Sequence, residues 1–426
     1  MRNFIWLILF SPFFVYAQDG GIAFSQNSTW EEILQRAKAE HKYIFVDCYA
    51  TWCGPCKVMD EQIYPNDIVG QFMNDKFISV KIQMDSTSQD LIQIKSWYGT
   101  AHAFEKQYMV NEYPSFLFFS SDGLILHKGI GAKPVNNFLD MVKAAMNSQE
   151  QFYTLLDLFE KGNLNFSEMP HLADESRKLG MERLAAQIAE YYIQNFIESL
   201  PEEQMWTKEN LDFIQAYPKS FHSNDKAFQL YFRDRLRIDS IGKYSGYADG
   251  LINTVIYADE ITPNINASLE QHIEPEWKKI EGTIRKKYDG AYVKKNILKG
   301  RVIYYKAARE WHNYAKYLVI RYENAGIMKA EPGFGTFVVL NNNAFEVFKY
   351  SNNKKELKTA LRWVDRALTI DSTSADALDT KANILYKLGK KEECLPIETR
   401  SVSLSHNKDY QANLVKMKDG QPTWPN

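Results

Sequence analysis

The sequence predicts an α/β domain with a mixed central sheet flanked by helices, followed by a long all-α region of helical hairpins. Helical and strand-like patterns alternate from residue 28 to residue 147, which is typical of parallel strands joined by helices. Beyond residue 149 the strand-like patterns almost vanish and helical patterns remain. A chain of 426 residues also exceeds the usual size of one hydrophobic core, so we expect two or three domains.

The alternating part predicts a definite order of elements. A helix precedes an apolar strand at 43–50, and a helix broken around Pro65 and a strand at 77–85 follow. The next helical pattern has Gly99 as a candidate C-cap. The turn "SSDG" then joins two strands into a hairpin before a final amphipathic helix. The hairpin should add antiparallel strands at one side of the sheet.

The N-terminus predicts a signal peptide at residues 1–17. Arg2 precedes an apolar run of 14 residues that ends at Ala17, and polar residues follow. This run is too short to span a bilayer comfortably, so we expect export to the bacterial periplasm without a membrane span after leader cleavage. The net charge of −2, from 51 basic and 53 acidic residues, gives no reason to expect nucleic-acid binding.

Two cysteines, Cys53 and Cys56, enclose a Gly-Pro dipeptide in the stretch "VDCYATWCGPCKVMD". A structural zinc site needs four ligands, but the chain has no second cysteine pair at this spacing and its 8 histidines are scattered. A structural disulfide that closes so short a loop would remove little entropy from the unfolded chain. We therefore expect a redox-active pair, with no metal and no cofactor.

The residues around this pair favour thiol chemistry. Cys53 precedes a helical pattern, so free backbone N–H groups and the helix dipole should stabilise its thiolate. Pro55 suits the first helical turn, and Cys56 lies on the same helix face within reach of Cys53. Asp47 falls in the preceding apolar strand, where burial would raise its pKa and let it accept a proton from the second thiol. The alternative for Asp47 is an edge-strand side chain that faces water.

This segment resembles the active site of the thioredoxin family. The positions that match the family pattern in register are Asp47, Ala50, Trp52, Cys53, Gly54, Pro55, Cys56 and Lys57. The later segments "EYPSFLFF" and "GIGA" are similar to the cis-proline strand of that family and to the glycine-containing segment before its last helix. The resemblance covers about residues 24–147 and extends to exported thioredoxin-like reductases.

The resemblance implies a mechanism. Cys53 would attack a substrate disulfide, Cys56 would resolve the mixed disulfide, and Asp47 would assist proton transfer. Lys57 would interact electrostatically with Asp47. The residues implied for substrate binding, with Pro114 as the cis-proline, are Trp52, Gly54, Pro55, Tyr113 and Pro114.

Two features depart from the family pattern. Cys48 replaces a bulky apolar residue, and we interpret it as a small buried hydrophobe rather than a third redox thiol. The segment Ser96–Pro114 is longer than the usual connection to the cis-proline. Its aromatic residues and His102 are candidates for shaping substrate access, and simple packing is the alternative.

The helical region contains a partial repeat at an offset of 34 residues, the period of tetratricopeptide helix pairs. The matching positions are Ala360, Leu361, Ala367, Leu368 and Ile370 with Cys394, Leu395, Ser401, Val402 and Leu404. The stretch "ALTIDSTSADAL" also resembles the junction between such repeats. Pro396 falls where the second helix should run, so a generic array of α-hairpins stays an alternative. Cys394 is interpreted as a buried residue of a repeat helix.

The expected organisation is a signal peptide at 1–17, a thioredoxin-like domain at 18–147, an α-helical domain at 148–340, tetratricopeptide-like repeats at 341–410 and a C-terminal tail at 411–426. The leading hypothesis is an exported protein-disulfide reductase that acts on protein or peptide thiols and disulfides, requires a reducing partner and recruits a client or partner through its helical region. Isomerase or oxidase action stays open because the direction depends on relative potentials. The alternatives are an interaction scaffold, a redox-sensing regulator, and a helical region that is only a structural appendage.

Overall fold

The computed structural model describes residues 20–425, so the expected signal peptide at 1–17 lies outside the described residues. The described chain divides into two compact units. The first unit ends at Leu200 and the second begins at Pro201. No helix in the described range is long and apolar enough to cross a membrane.

A four-stranded mixed sheet forms the centre of the first unit. Its strands β1 to β4 are Tyr43–Tyr49, Phe77–Gln83, Ser115–Phe119 and Ile125–Ile130. Their spatial order is β2-β1-β3-β4, with β1 parallel to β2 and antiparallel to β3, and β4 antiparallel to β3. This arrangement confirms the predicted mixed sheet. It also places β1 in the interior of the sheet, so Asp47 is not on an edge strand.

Helices cover both faces of this sheet. In chain order, α1 to α9 are Trp30–Glu40, Gly54–Val58, Asp67–Lys76, Ile92–Ser96, Tyr98–Tyr108, Val135–Met146, Phe152–Glu160, Met169–Lys178 and Glu182–Asn195. A π-helical turn, Met59–Ile63, extends α2, and a short turn at Pro65 then separates it from α3, as the sequence predicts.

The two sheet faces have separate hydrophobic cores because side chains alternate along β1. Ile44, Val46 and Cys48 pack on one face with apolar residues of α1 and α5. Phe45 points to the other face, where the π-helical turn, α3 and α6 cover it. Asp47 has the same parity as Phe45. Its side chain therefore lies on the sheet face that the π-helical turn, α3 and α6 cover.

The helix at Gly99 differs from the prediction. Gly99 lies inside α5, which continues to Tyr108 and ends on Met109 in a left-handed conformation. The longer helix forms because Ala101, Phe104 and Tyr108 extend a buried stripe against the sheet. Lys128 of β4 stabilises the C-terminal end of α5. The buried ammonium group of Lys128 donates to the carbonyl oxygens of Tyr108 and Met109 at 2.9 and 2.8 Å.

The chain continues into the helices α7 to α9 within the first unit. The backbone N–H of Phe152 in α7 donates to Nδ1 of His127 in β4 at 3.1 Å. Burial lowers the pKa of His127 to about 4, so the ring is neutral at neutral pH and its Nδ1 can accept this bond. Phe152 itself is fully buried. Residues beyond 147 therefore contribute to the packing of the first unit.

The described residues of the second unit form helices and no strand, which confirms the predicted all-α region. In chain order, α10 to α23 are Glu202–Met205, Lys208–Ala216, Lys226–Arg233, Arg235–Gly242, Tyr247–Ile256, Thr262–Glu270, Trp277–Ile284, Gly290–Ala307, Trp311–Asn324, Phe334–Tyr350, Lys354–Ile370, Ala375–Lys387, Lys391–Leu404 and Lys408–Asp419. A π-helical turn, Tyr257–Ile261, joins α14 to α15. Pro396 lies in the second turn of α22 without ending it. Cys394, two residues earlier, is a buried free thiol.

Candidate active site

The two cysteines lie at the start of α2. Cys53 is the N-cap residue and Pro55 occupies the first turn, where a missing N–H costs nothing. The two sulfur atoms form a disulfide, and the backbone N–H of Cys56 donates to Sγ of Cys53 at 3.1 Å. A donor aimed at Sγ of Cys53 stabilises negative charge there when the disulfide is reduced. Cys53 is only 2% exposed and Cys56 only 4% exposed, so both cysteines lie at the bottom of the site.

Aromatic residues from two distant segments border the cysteines. Trp52 is 70% exposed, and its ring meets the ring of Tyr113 edge-on at a centroid distance of 5.8 Å. Tyr113 packs against Ala50 and the two cysteines. The Tyr113–Pro114 peptide bond is cis, the isomer that the family resemblance implies. The carbonyl oxygen of Pro114 accepts the N–H of Gly131 at 2.8 Å, which joins the "GIGA" segment to the same edge of the site.

Asp47 is a buried carboxyl group with incomplete hydrogen bonding. It is 1% exposed, and its Oδ1 makes no hydrogen bond within the described chain. Burial raises the pKa of Asp47 to about 7, and the charge of Lys81 and the neighbouring Tyr64 hydroxyl only partly oppose this shift. A carboxyl group that titrates near neutral pH can both accept and return a proton.

The cation that contacts Asp47 is Lys81, and not Lys57. Nζ of Lys81 lies 3.7 Å from Oδ2 of Asp47 and also contacts the carboxylate of Asp60. Asp47 and Lys81 are direct partners in the parallel β1–β2 ladder, which puts both side chains on one face. Lys57 is exposed on α2, and no ion pair joins it to Asp47 among residues 20–425.

The loop after β1 is held to the loop after β2. The backbone N–H of Thr51 donates to Oδ1 of Asp85 at 3.0 Å, and its hydroxyl contacts the other oxygen of the same carboxylate. Asp90 then accepts the N–H of Thr87 at 2.8 Å and the hydroxyl of Tyr98. These bonds restrain the segment on which Trp52 and Cys53 lie. The sequence analysis missed them because both aspartates fall in a loop with no motif.

The structure also places Cys48, the predicted bystander, and His102, a candidate for shaping substrate access. Cys48 is fully buried on the sheet face opposite Asp47, and burial raises the pKa of its thiol far above the usual range. It therefore stays a neutral thiol that packs like a hydrophobe. His102 is exposed on α5 and lies 3.4 Å from Glu105. Within the described range, no cluster of three or more His, Cys, Asp or Glu side chains could hold a metal ion.

Comparison with known proteins agrees with this geometry. A family model described as thioredoxin-like matches residues 25–121. Thioredoxin Asp f 29 from Aspergillus fumigatus is 30% identical over 91 residues, which are 21% of this chain and 67% of that protein. The chain thus belongs to the thioredoxin-like family through its first domain. Chloroplastic thioredoxin Y from Oryza sativa subsp. japonica is 27% identical over 119 residues, or 28% of this chain and 58% of that protein.

A solved structure with a related sequence covers about a third of the chain. The solution structure of a putative disulphide-isomerase from Bacteroides thetaiotaomicron is 33% identical and covers 31% of this chain and 98% of its own, with a TM-score of 0.26. The chain spans 58% of the length of the rice relative and 57% of an H-type thioredoxin from Chlamydomonas reinhardtii. These similarities therefore describe the thioredoxin-like domain and not the whole protein.

Proposed function

We propose that this protein is an exported thiol–disulfide oxidoreductase that reduces protein disulfides through Cys53 and Cys56. The observation that carries the proposal is the disulfide at a helix N-terminus, which follows the strand that holds the buried carboxyl group of Asp47. The thioredoxin-like relatives support the same chemistry. Export rests on the leader pattern at residues 1–17, and a reducing partner has to supply electrons.

The reaction transfers two electrons from the dithiol to the substrate. The Cys53 thiolate attacks one sulfur of the substrate disulfide, forms a mixed disulfide and displaces a substrate thiolate, which takes a proton from water. Asp47 accepts the proton of Cys56, and the Cys56 thiolate then attacks Sγ of Cys53. The second substrate thiolate leaves, and the Cys53–Cys56 disulfide remains. An external reductant must return two electrons before the next turnover.

Replacing Cys56 with serine should trap clients. Without the resolving thiol, the mixed disulfide between Cys53 and a substrate cannot break from within the molecule. We expect Cys56→Ser to accumulate adducts that disappear on treatment with dithiothreitol, whereas a Cys53→Ser/Cys56→Ser variant should form none. Non-reducing electrophoresis and mass spectrometry measure both. Equal adducts from the two variants would show that the captured proteins do not react through Cys53.

Export has its own test. The apolar run ends at Ala17, so we expect the protein recovered from the periplasm of a bacterial host to begin at Gln18. N-terminal sequencing of that fraction measures it. An intact N-terminus on protein found only in the cytoplasm would remove export from the proposal while leaving the dithiol chemistry untouched.

We further propose that α19 to α23 form tetratricopeptide-like repeats that recruit a client or partner. Equivalent positions on α21 and α23 are hydrogen-bonded to each other at a sequence separation of 34: the amide of Asn413 donates to Oδ1 of Asp379 at 2.9 Å, and the hydroxyl of Tyr410 contacts Asp376. This spacing supports a helical repeat. Repeats of this kind stack into an extended surface suited to binding polypeptides.

A further inference from the structure

The second unit contains a cavity on the common face of α19, α21 and α23. Its volume is about 390 Å³. Its floor is formed by the buried residues Asn341, Asp379 and Thr380, and its rim includes Phe345, Asp376 and Tyr410. The cavity is lined by all three helices, so the helical array itself builds it.

The lining of this cavity is strongly acidic. Asp376, Asp379, Asp409 and Glu346 contribute carboxyl groups, and no lysine or arginine lines the cavity. Glu346 is partly neutralised by Lys306 at 3.2 Å. No ion pair to a cation is present for the three aspartates in the described part of the chain. A concave surface with uncompensated charge of one sign attracts a ligand of the opposite sign.

A second, independent observation also points to a ligand. Asn341 is 7% exposed and lines the cavity, yet its Oδ1 accepts no hydrogen bond within residues 20–425. A buried amide oxygen without a donor is costly unless a ligand or solvent satisfies it. A ligand with N–H donors can supply the hydrogen bond that the Asn341 oxygen lacks and can also pair with the nearby carboxylates.

Asp379 has an acidic neighbour, Glu398, outside the cavity lining. Glu398 of α22 lies against Asp379 and is fully buried, and burial together with the Asp379 charge raises the pKa of Glu398. Glu398 therefore holds a proton at neutral pH. Burial also raises the pKa of Asp379, and the hydrogen bonds from Asn413 and Glu398 oppose that shift. Asn413 orients Asp379 with a hydrogen bond of 2.9 Å.

We propose that this cavity binds a lysine or arginine side chain from an extended basic segment of a client or partner polypeptide. A metal ion is the poorer match, because the described residues bring together no group of three suitable ligands. The partly exposed rings of Phe345 and Tyr410 offer surfaces for the aliphatic stem and the cationic head group. The site is distinct from the dithiol, and the inference rests on the proposed recruiting role of the helical region.

The test uses the full mature chain and a cysteine-free peptide. Binding of fluorescein-labelled Ser-Arg-Gly-Arg-Ser is compared with binding of the matching Ser-Glu-Gly-Glu-Ser peptide by fluorescence anisotropy at low and physiological ionic strength. We expect saturable binding of the arginine peptide only, weakened by salt. Asp376→Asn/Asp409→Asn should lower its affinity roughly tenfold, the effect expected for two partly exposed ion pairs.

A matched double variant, Glu392→Gln/Asp419→Asn, removes the same charge from exposed positions outside the cavity and should bind like the wild type. Circular dichroism checks that both double variants remain folded. Equal binding of the two peptides, equal loss in both double variants, or displacement by millimolar Ca²⁺ or Mg²⁺ would overturn the inference. Because the peptide has no cysteine, insulin reduction by the same samples separately reports whether the dithiol chemistry is intact.

Discussion

Cys53→Ser should abolish disulfide reduction. Serine keeps the shape of the side chain but cannot form the sulfur nucleophile, so we expect the rate of insulin reduction to fall by roughly three orders of magnitude or more. The measurement is insulin reduction with an excess of dithiothreitol as the terminal reductant, corrected for the uncatalysed rate. The loss should not depend on the reductant, because the substrate-attacking sulfur itself is missing.

Cys48→Ala is the matched control. Cys48 lies five residues before Cys53 but on the opposite face of the sheet, away from the helix that begins at the cysteines. Removing its buried sulfur should cost on the order of 1 kcal/mol of stability and leave the reduction rate within about twofold. If wild type and Cys53→Ser reduce insulin equally fast, the catalytic role of the dithiol is wrong. The hypothesis of a domain used only for docking would then gain support.

Much of the first domain follows from local sequence pattern. The apolar run at 43–50, the cysteine pair at a helix start and the "SSDG" turn each specify an element without help from distant residues. The prediction that the helix ends at Gly99 was wrong because tertiary contacts stabilise a longer helix. Ala101, Phe104 and Tyr108 gain burial only if the helix continues, and Lys128, which is remote in sequence, satisfies the carbonyl groups at its end.

Contacts across strands and repeats were harder to predict. Lys81 interrupts an apolar strand, which is a usable sign of a buried charge pair, but its partner Asp47 follows only from the register of β1 and β2.

The contacts within the helical repeat were also hard to predict from the sequence. A search for similar residues 34 positions apart finds the matching apolar positions of α20 and α22. It misses the pairs Asp376 with Tyr410 and Asp379 with Asn413. Those positions are equivalent in space but chemically complementary, so similarity does not reveal them.

Asp47→Asn should make the first domain more stable at pH 8 and less active. In the unfolded chain Asp47 releases its proton near its ordinary pKa of 3.8, whereas in the oxidised fold it does so at about 7. Between these values the native state holds the proton that the unfolded state has lost, so the free energy of unfolding falls as the pH rises. The difference corresponds to about 4 kcal/mol above pH 7, at 1.36 kcal/mol per pKa unit.

Hydrogen exchange of the β1 and β3 amides measures this effect on the first domain alone. For the oxidised full chain we expect protection in Asp47→Asn to exceed that of the wild type at pH 8, and the difference to shrink toward pH 5. Asp60→Asn is the control: it removes the other carboxylate next to Lys81, but from an exposed position, and should not reproduce the pH dependence. A stability difference that is the same at both pH values would contradict the raised pKa.

The same substitution should slow turnover because asparagine cannot accept the proton of Cys56. We expect insulin reduction by Asp47→Asn to fall at least roughly tenfold, the low end of what a positioned base contributes. The wild-type rate should also rise through about pH 7 as Asp47 ionises, a rise that the variant lacks. A variant that is both more stable and slower would mean that the buried carboxyl group costs stability in exchange for proton transfer. A more stable variant with an unchanged rate would remove Asp47 from the mechanism.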